Sequence, residues 1–555
     1  EVVMSRGSLA EALRASMSLP GIVPPVERDG RLLVDGGIAN NLPIDVVRNL
    51  CADVIIAVDI GTPPMKREQI GSALSVVGQL TNLLGKSSVD QQIRTLTPQD
   101  VLISPQLGDI TSTSFDRQPE AIRIAEAAAR AMTESLRRYS VSEAQYVALR
   151  RSQQRTEHEL GAVDEIRFDG LERTNAAVLR GLVQSKPGEP LTEDALAADL
   201  RRIYGRGDFE GVDYRIVEED GRRNLVFKVR EKSWGPDYLR FGVSLASDFD
   251  SEHYFNAAIN YKRTWLNRLG GEWNNDIQLG RDSHLLTEFY QPVNEANDVF
   301  ISTYGWLSQS TRGVFVDDDR IAEYRTREGR LGLDAGLNFG TWGTSRIGAM
   351  WREVNSEVDT GASQLPEGSR NLSGLHADFV VDQLDRPYFS RSGYFLDARS
   401  RFVRSALGAD ESYDRLSVRA IGAKSRGPHT LNLTMIYGTD FHSDVDPSDA
   451  FVLGGPLRLS GYEIDRFAGR EYVFGRLMYY NQALRLPSPL GSGFYLGASL
   501  EAAEVKRQFT VPGDTGRLWS ASLFLAADTF AGPAYLGFGI GEGGERSFYL
   551  LLGVP

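Results

Sequence analysis

The residues best suited to chemistry are Asp35, Gly36 and Gly37. A short apolar run, Leu32 to Val34, reads as a strand that delivers the acid. The two glycines that follow let the backbone turn tightly and leave the carboxylate uncovered. Such a carboxylate is placed to accept a proton from a hydroxyl nucleophile. The first 157 residues contain no histidine, so a carboxylate base would have to do this work. Triads and dyads with such substitutions recur on unrelated folds. The chain's histidines are sparse and scattered without ligand spacing, so neither a metal nor another cofactor is implied. The nucleophile is the gap. No Gly-x-Ser-x-Gly elbow occurs, and the nearest run, Gly242-Val243-Ser244-Leu245-Ala246, lacks the last glycine.

Residues 1–157 must position Asp35, and they read as α/β. Asp53 to Asp59 is a short buried run that suits a parallel sheet. Pro119 to Arg137 and Val141 to Arg155 read as helices, the second running into a linker. Asn40 and Asn41 are expected to hydrogen-bond behind Asp35 or to cap a helix. Cys51, the single cysteine, forbids an intramolecular disulfide and reads as a buried small hydrophobe. The net charge of −13 argues against nucleic acid as a partner.

Residues 162–232 change rhythm to β-α-α-β-β. Val163 to Phe168 is a strand, Asn175 to Val183 a helix, and Thr192 caps the next helix. Two strands close the segment, joined at Asp220-Gly221. From Trp234 to Pro555 the pattern is alternation. Leu239, Phe241, Val243 and Leu245 share one parity, as do Phe255, Ala257, Ile259 and Tyr261. Leu536, Phe538 and Ile540 share one, and so do Phe548, Leu550, Leu552 and Val554. A lipid-facing antiparallel β-barrel with a wet lumen requires this pattern, and residues 234–555 hold about 16 such strands. A soluble β-rich domain is the alternative, but it lacks elements to cover so many apolar faces. No apolar run reaches the length of about 18 residues of a membrane-spanning helix. Trp265, Tyr290, Tyr394 and Phe395 are expected in interfacial girdles.

Three resemblances follow from these residues. Ala12 to Val26 together with Asp35-Gly36-Gly37 resembles the second catalytic block of patatin-like phospholipases, Ser-Asp dyad hydrolases. The resemblance implies that Asp35 is the dyad aspartate on a loop shaped by Gly36 and Gly37. Residues 162–232 resemble a POTRA domain, which either offers sheet edges to extended peptides or serves as a spacer. Val381 to Asp397 and Gly454 to Tyr462 resemble two segments of the bacterial surface antigen superfamily of outer-membrane assembly barrels. In the second, the lumenal-loop motif, Arg458, Ser460, Gly461 and Tyr462 stand where the family has arginine before Gly-Tyr. Ser460 takes the arginine position, and a neutral serine is not expected to pair with a lumenal carboxylate as a guanidinium does.

The three modules in this order resemble patatin-like autotransporters of type V secretion. The resemblance implies a bacterial outer-membrane protein whose hydrolase domain is periplasmic, cell-surface or secreted. It implies phospholipid as substrate, outer-membrane lipid around the barrel and the barrel assembly machinery as partner, and it leaves room for a homodimer. It further implies that the record is truncated before Glu1, where the family's elbow lies, and lacks one or more residues after Pro555. The chain alone is then expected to be inactive. The alternative is a non-enzymatic outer-membrane transporter or assembly factor. The sequence upstream of Glu1 separates the two.

Overall fold

The computed structural model describes residues 1–20, 23–61, 73–108, 110, 117–153, 160–249, 253–316, 319–361, 366–441, 447–485, 492–509, 513–529 and 531–553. The linker expected after Gln153 and the terminal Val554 and Pro555 lie outside them. The chain divides into two compact units, Glu1–Glu157 and His158–Pro555.

The first unit is α/β. Its helix α1 (Leu9–Ser16) is capped by the Ser8 hydroxyl, which accepts from Glu11 N–H. Strands β1 (Val26–Arg28) and β2 (Arg31–Leu33) form a hairpin. Asp29 and Gly30 both have positive φ at its turn, the combination that matches strand twist. Helix α2 (Ile44–Asn49) leads to β3 (Ile56–Val58), and helix α3 (Ala73–Ile93) follows. Strand β4 (Val101–Ile103) pairs with β3 in parallel. Helices α4 (Gln118–Ala131), α5 (Thr133–Arg137) and α6 (Glu143–Gln153) complete the unit.

Three expectations are corrected here. The strand expected over Asp53–Asp59 shrinks to β3, and it alternates rather than being buried throughout. Ile55 and Ala57 enter the core, while Ile56 and Val58 are exposed. The single helix expected over Pro119–Arg137 breaks at Met132, whose ψ of 11° lies outside the helical range. Cys51 is exposed, not buried. It follows the last turn of α2 with a φ of 84°, a left-handed position that turns its side chain outward.

In the second unit, β5 (Glu165–Asp169), α7 (Ala176–Leu182), α8 (Glu193–Gly205), β6 (Phe209–Glu219) and β7 (Arg222–Glu231) form the β-α-α-β-β domain. The sheet order is β5-β7-β6, with β7 parallel to β5 and antiparallel to β6. Leu179, Leu196, Ile203, Leu225 and Phe227 pack between the helices and the sheet. Asn175 and Thr192 cap the two helices as expected. The Glu231 carboxylate accepts from Arg173 and Thr174 N–H and from the Arg173 guanidinium. Arg173 also donates to Lys232 and Gly235 carbonyls, and Asn175 to Arg268 O, which fixes this domain to the barrel entrance.

The barrel has sixteen antiparallel strands and is closed. Two short segments, Gly368–Asn371 and Phe451–Leu453, are laid against it. Its first strand, Asp237–Ser247, meets its last, Arg546–Leu552, over three residues, Leu245–Ser247 against Leu550–Leu552. Alternation sets the faces. On Gly493–Gln508, Phe494, Leu496 and Leu500 point outward, while Tyr495, Ser499 and Glu501 are buried inside. Phe241, Val243, Phe255, Ile259, Leu536 and Phe548 are exposed on the outer face, on the expected parities. Among the described residues no helix is long and apolar enough to cross a membrane.

The aromatic girdle is corrected. Tyr394 points outward, but Phe395 and Tyr290 line internal cavities. Trp265 lies under the guanidinium of Arg206, the residue after α8, 5.1 Å from ring centroid to carbon. Trp273, Trp342, Trp351 and Trp519 are exposed indoles of the barrel region that the sequence reading left out.

Candidate functional sites

Asp35 sits between β2 and a 3₁₀ turn, Gly36–Ile38. Its Oδ1 accepts from Gly37 N–H at 2.8 Å, so the acid caps the turn it precedes. Its own N–H donates to Ser18 O at 3.0 Å. Ser18 is fully buried, and its hydroxyl donates to Arg14 O at 2.8 Å and accepts from the Arg14 guanidinium at 2.5 Å. Arg14 also donates to Pro24 O. These bonds fasten the loop after α1 to the base of the Asp35 turn. Ser18 is therefore a structural serine whose hydroxyl proton is committed elsewhere.

Asp35 is half-buried, and among the described residues its second oxygen has no hydrogen-bond donor. The two glycines differ. A Cβ on Gly37 would meet Asn41 Oδ1 at 2.8 Å and Asp35 Oδ1 at 3.1 Å, whereas one on Gly36 would meet nothing. Gly37 thus lets the carboxylate fold over the turn. Helix α3 supports it from below, since Gly85 brings its backbone against Gly37 O. Asn40 does not reach Asp35. Its amide donates to Asp45 in the first turn of α2 and to Glu1, and α2 has no side-chain cap. The supports that sequence reasoning missed are Arg14, Ser18 and Gly85. Arg14 and Ser18 lie four residues apart, a spacing that brings side chains together on one helix face.

Elsewhere in unit 1, Asp100 accepts from Thr97 and Ile55 N–H and from Arg48. Burial pushes its carboxyl up, but these donors outweigh burial and hold it well below the usual range.

The lumenal-loop motif is a second candidate. Ser460 is buried, and its N–H donates to Glu501 Oε2 at 2.6 Å while its hydroxyl donates to Glu501 Oε1 at 2.8 Å. Leu459 N–H adds a third bond and the Ser499 hydroxyl a fourth. Ser460 does not form the ion pair of a guanidinium, as expected, but it reaches a lumenal carboxylate through hydrogen bonds. The hydroxyl and two backbone N–H groups replace a guanidinium. Gly461 approaches the barrel wall so closely that a Cβ would lie 2.3 Å from Gly541 N. The Tyr462 hydroxyl accepts from Glu542 N–H. Arg458 donates to Val452 O within the loop.

Two carboxylates flank the motif and hold the same loop. Asp449 accepts both terminal nitrogens of buried Arg352 at 2.9 and 3.0 Å, together with Arg401 and the Tyr413 hydroxyl. Asp465 pairs with Arg281 at 2.7 Å and Arg312 at 3.4 Å. Neither was singled out from sequence, because its partners lie 97 and 184 residues away. Among the described residues no group of histidine, cysteine and carboxylates gathers as a metal site.

Three family models match the chain. Residues 3–48 match patatin-like phospholipase, residues 162–232 the surface antigen variable number repeat of POTRA type, and residues 267–540 the Omp85 superfamily domain. Patatin-like phospholipase domain-containing protein 7 of Mus musculus is 53% identical over 62 residues, which are 11% of this chain and 5% of that protein. An uncharacterized NTE family protein of Mycobacterium bovis is 48% identical over 63 residues, 11% of this chain and 10% of that one. The chain thus spans a small fraction of the relatives it matches. The crystal structure of BamA from Haemophilus ducreyi lacking POTRA domains 1–3 superposes with a TM-score of 0.55 at 14% identity. It covers 71% of this chain and 84% of that one, a likeness of fold. The chain thus carries, in order, a patatin-like segment, a POTRA repeat and a closed sixteen-strand barrel that matches the Omp85 superfamily domain, an outer-membrane architecture consistent with a patatin–Omp85 fusion.

Proposed function

We propose that the patatin-like part hydrolyses acyl esters of phospholipids through a Ser-Asp dyad in which Asp35 is the base. The observation that carries this reading is the half-engaged carboxylate. Gly37 N–H fixes Oδ1 at 2.8 Å and leaves the second oxygen with no donor among the described residues. A proton acceptor needs that pairing of fixed orientation and an open lone pair. The matched relatives carry patatin-like phospholipase and NTE names, which supports the same chemistry.

The nucleophile of the dyad is a serine of Gly-x-Ser-x-Gly type, a motif that residues 1–555 do not contain. It attacks the ester carbonyl and passes its proton to Asp35, which returns one to the leaving alcohol. Water then clears the acyl-enzyme. Residues 1–157 supply the base half of the site. The barrel anchors the hydrolase in the outer membrane or exports it, after insertion by the barrel assembly machinery.

Asp35→Asn in the full-length protein tests the dyad. Hydrolysis of phospholipid vesicles should fall by at least about a thousandfold, the scale on which losing one member of a catalytic unit acts. The heat-dependent gel shift of the folded barrel should persist. Wild-type turnover in this variant would overturn the assignment.

A further inference from the structure

The barrel encloses a cavity of about 570 Å³, bounded by the lumenal loop and by the 383–391 turn, whose Phe389 is tucked inside at 5% exposure. Four guanidiniums line it; Arg399 is bound to Asp397, and the other three come from three places. Arg419 comes from the strand Tyr413–Arg426, Arg458 from the loop, and Arg476 from the strand Phe467–Arg485. Among the described residues none of the three forms an ion pair. Arg419 lies 5.3 Å from the centre of the Phe395 ring. Arg458 donates to Val452 O, and Arg476 to Leu457 O and Thr434 Oγ1. The Nε atoms of Arg458 and Arg476 are buried with no partner.

Two carboxylates line the cavity, Asp382 and Asp397; Asp382 is exposed and accepts Leu384 N–H. Asp397 receives both nitrogens of Arg399 at 2.9 Å, and Glu501 holds the loop. Elsewhere in the lumen Arg281, Arg346, Arg352 and Arg466 each pair with a carboxylate within 3.2 Å. Arg458 and Arg476 are half-buried and Arg419 is exposed, and a guanidinium withdrawn from water costs free energy unless it is paired. With four guanidiniums against the two carboxylates Asp382 and Asp397, the lining keeps an excess of positive charge. The rest of the lining is mixed: Ser417, Asn432 and Thr434 are polar, while buried Met478, Tyr480, Tyr535 and Phe389 form an aromatic and apolar side.

We propose that this cavity binds an amphipathic anion, a carboxylate or phosphate head on a short acyl or alkyl body. Arg419, Arg458 and Arg476 hold the head, since guanidiniums match both oxyanions in two-point contacts. The aromatic wall takes the body. The volume falls within the usual range for small-ligand sites. The site is independent of the hydrolase reading, because all its residues belong to the barrel unit.

The test uses the chain folded in nanodiscs of neutral lipid, with empty nanodiscs as background. Equilibrium dialysis measures octyl phosphate, octanoate, octanol and inorganic phosphate. Saturable binding of octyl phosphate or octanoate is expected, at one per chain. Preference between them tells a phosphate-headed lipid from a fatty acid. The double variant Arg419→Gln, Arg476→Gln should weaken it roughly tenfold or more, the scale of a lost charged hydrogen bond. Arg327→Gln, on a half-exposed side chain outside the cavity, should not. Should the double variant lose its heat-dependent gel shift, Arg458→Gln on the loop replaces it, with the same expected loss. Octanol binding equally well would reduce the site to an apolar hole. Inorganic phosphate binding equally well would remove the amphipathic claim. Absent saturable binding, or binding untouched by these variants, would overturn the proposal.

Discussion

Asp35 and Asp449 are both aspartates at short 3₁₀ turns, and they are treated in opposite ways. Asp35 is half-buried and engages one backbone N–H, with an oxygen left over. Asp449 is 4% exposed and accepts two nitrogens of Arg352, one of Arg401 and the Tyr413 hydroxyl. A carboxylate that must receive a proton needs an unspent lone pair. One that must hold a loop inside a lumen needs every lone pair spent, because burial makes any vacancy costly. On the proposed dyad, the degree of satisfaction separates the reactive acid from the structural one more sharply than residue type or turn geometry.

Substitution should divide the two. The largest effect expected is the loss of turnover in Asp35→Asn, with little change in stability. Asp449→Ala should do the reverse. It strands Arg352, 2% exposed, with Glu328 as its remaining carboxylate at 3.0 Å. Removing one partner of a buried pair costs about 3–5 kcal/mol. The urea midpoint of the folded barrel, read from its gel shift, should drop accordingly, while phospholipid hydrolysis by the full-length protein stays measurable. A double variant that also replaces Arg352 with Met should recover part of the loss, since the buried guanidinium is gone and only the partly exposed Arg401 loses its carboxylate. An unchanged midpoint in Asp449→Ala would mean that the loop is held elsewhere.

Glu231 extends the comparison outside the membrane. Burial pushes its carboxyl up, but Thr174 and Arg173 N–H and the Arg173 guanidinium outweigh it and bring it down to about 2. Its folded value lies below its unfolded one. Its contribution is therefore present above the ordinary glutamate range, around 4.5, and is lost as pH falls toward 2. Residues 160–249 should lose hydrogen-exchange protection around 172–174 across that window. Glu231→Gln should already show the weakened protection at neutral pH and flatten the dependence. Protection that stays constant down to pH 2 in the wild type would contradict the assignment.

Sequence made some of this legible for physical reasons. A barrel strand writes its two faces into alternate residues, so the architecture and the outer faces of Phe241, Ile259 and Phe548 could be read without any partner. The same rule exposes an error. Tyr394 and Phe395 are adjacent and cannot share a face, and only Tyr394 meets the lipid side. Helix α3 went unread because Gly78, Gly85, Thr81, Asn82 and paired valines give it poor helix propensity, and tertiary packing decides it. The lumenal contacts were invisible because Ser460 meets Glu501 41 residues on, a distance no local pattern encodes. At Asp35 the sequence located the turn and its glycines. It did not distinguish the two glycines, because their difference lies in what stands above each.

That difference supplies the smallest effects and the finest test. Both glycines of the Asp-Gly-Gly turn have negative φ, so backbone conformation does not demand glycine at either. Space does, and at one position alone. Gly37→Ala places a methyl group 3.1 Å from the fixed Asp35 oxygen and 2.8 Å from Asn41 Oδ1. The carboxylate must shift by a few tenths of an ångström or the turn must open. Turnover of the full-length enzyme should fall by roughly tenfold to a hundredfold, as expected for a displaced catalytic group. Gly36→Ala meets open space and should change stability by no more than about 0.5 kcal/mol, with turnover nearly intact. Equal losses at the two positions would show that the turn needs glycine for its backbone alone. Harm confined to Gly37 would show that the motif's second glycine is there to let the acid lie down on it.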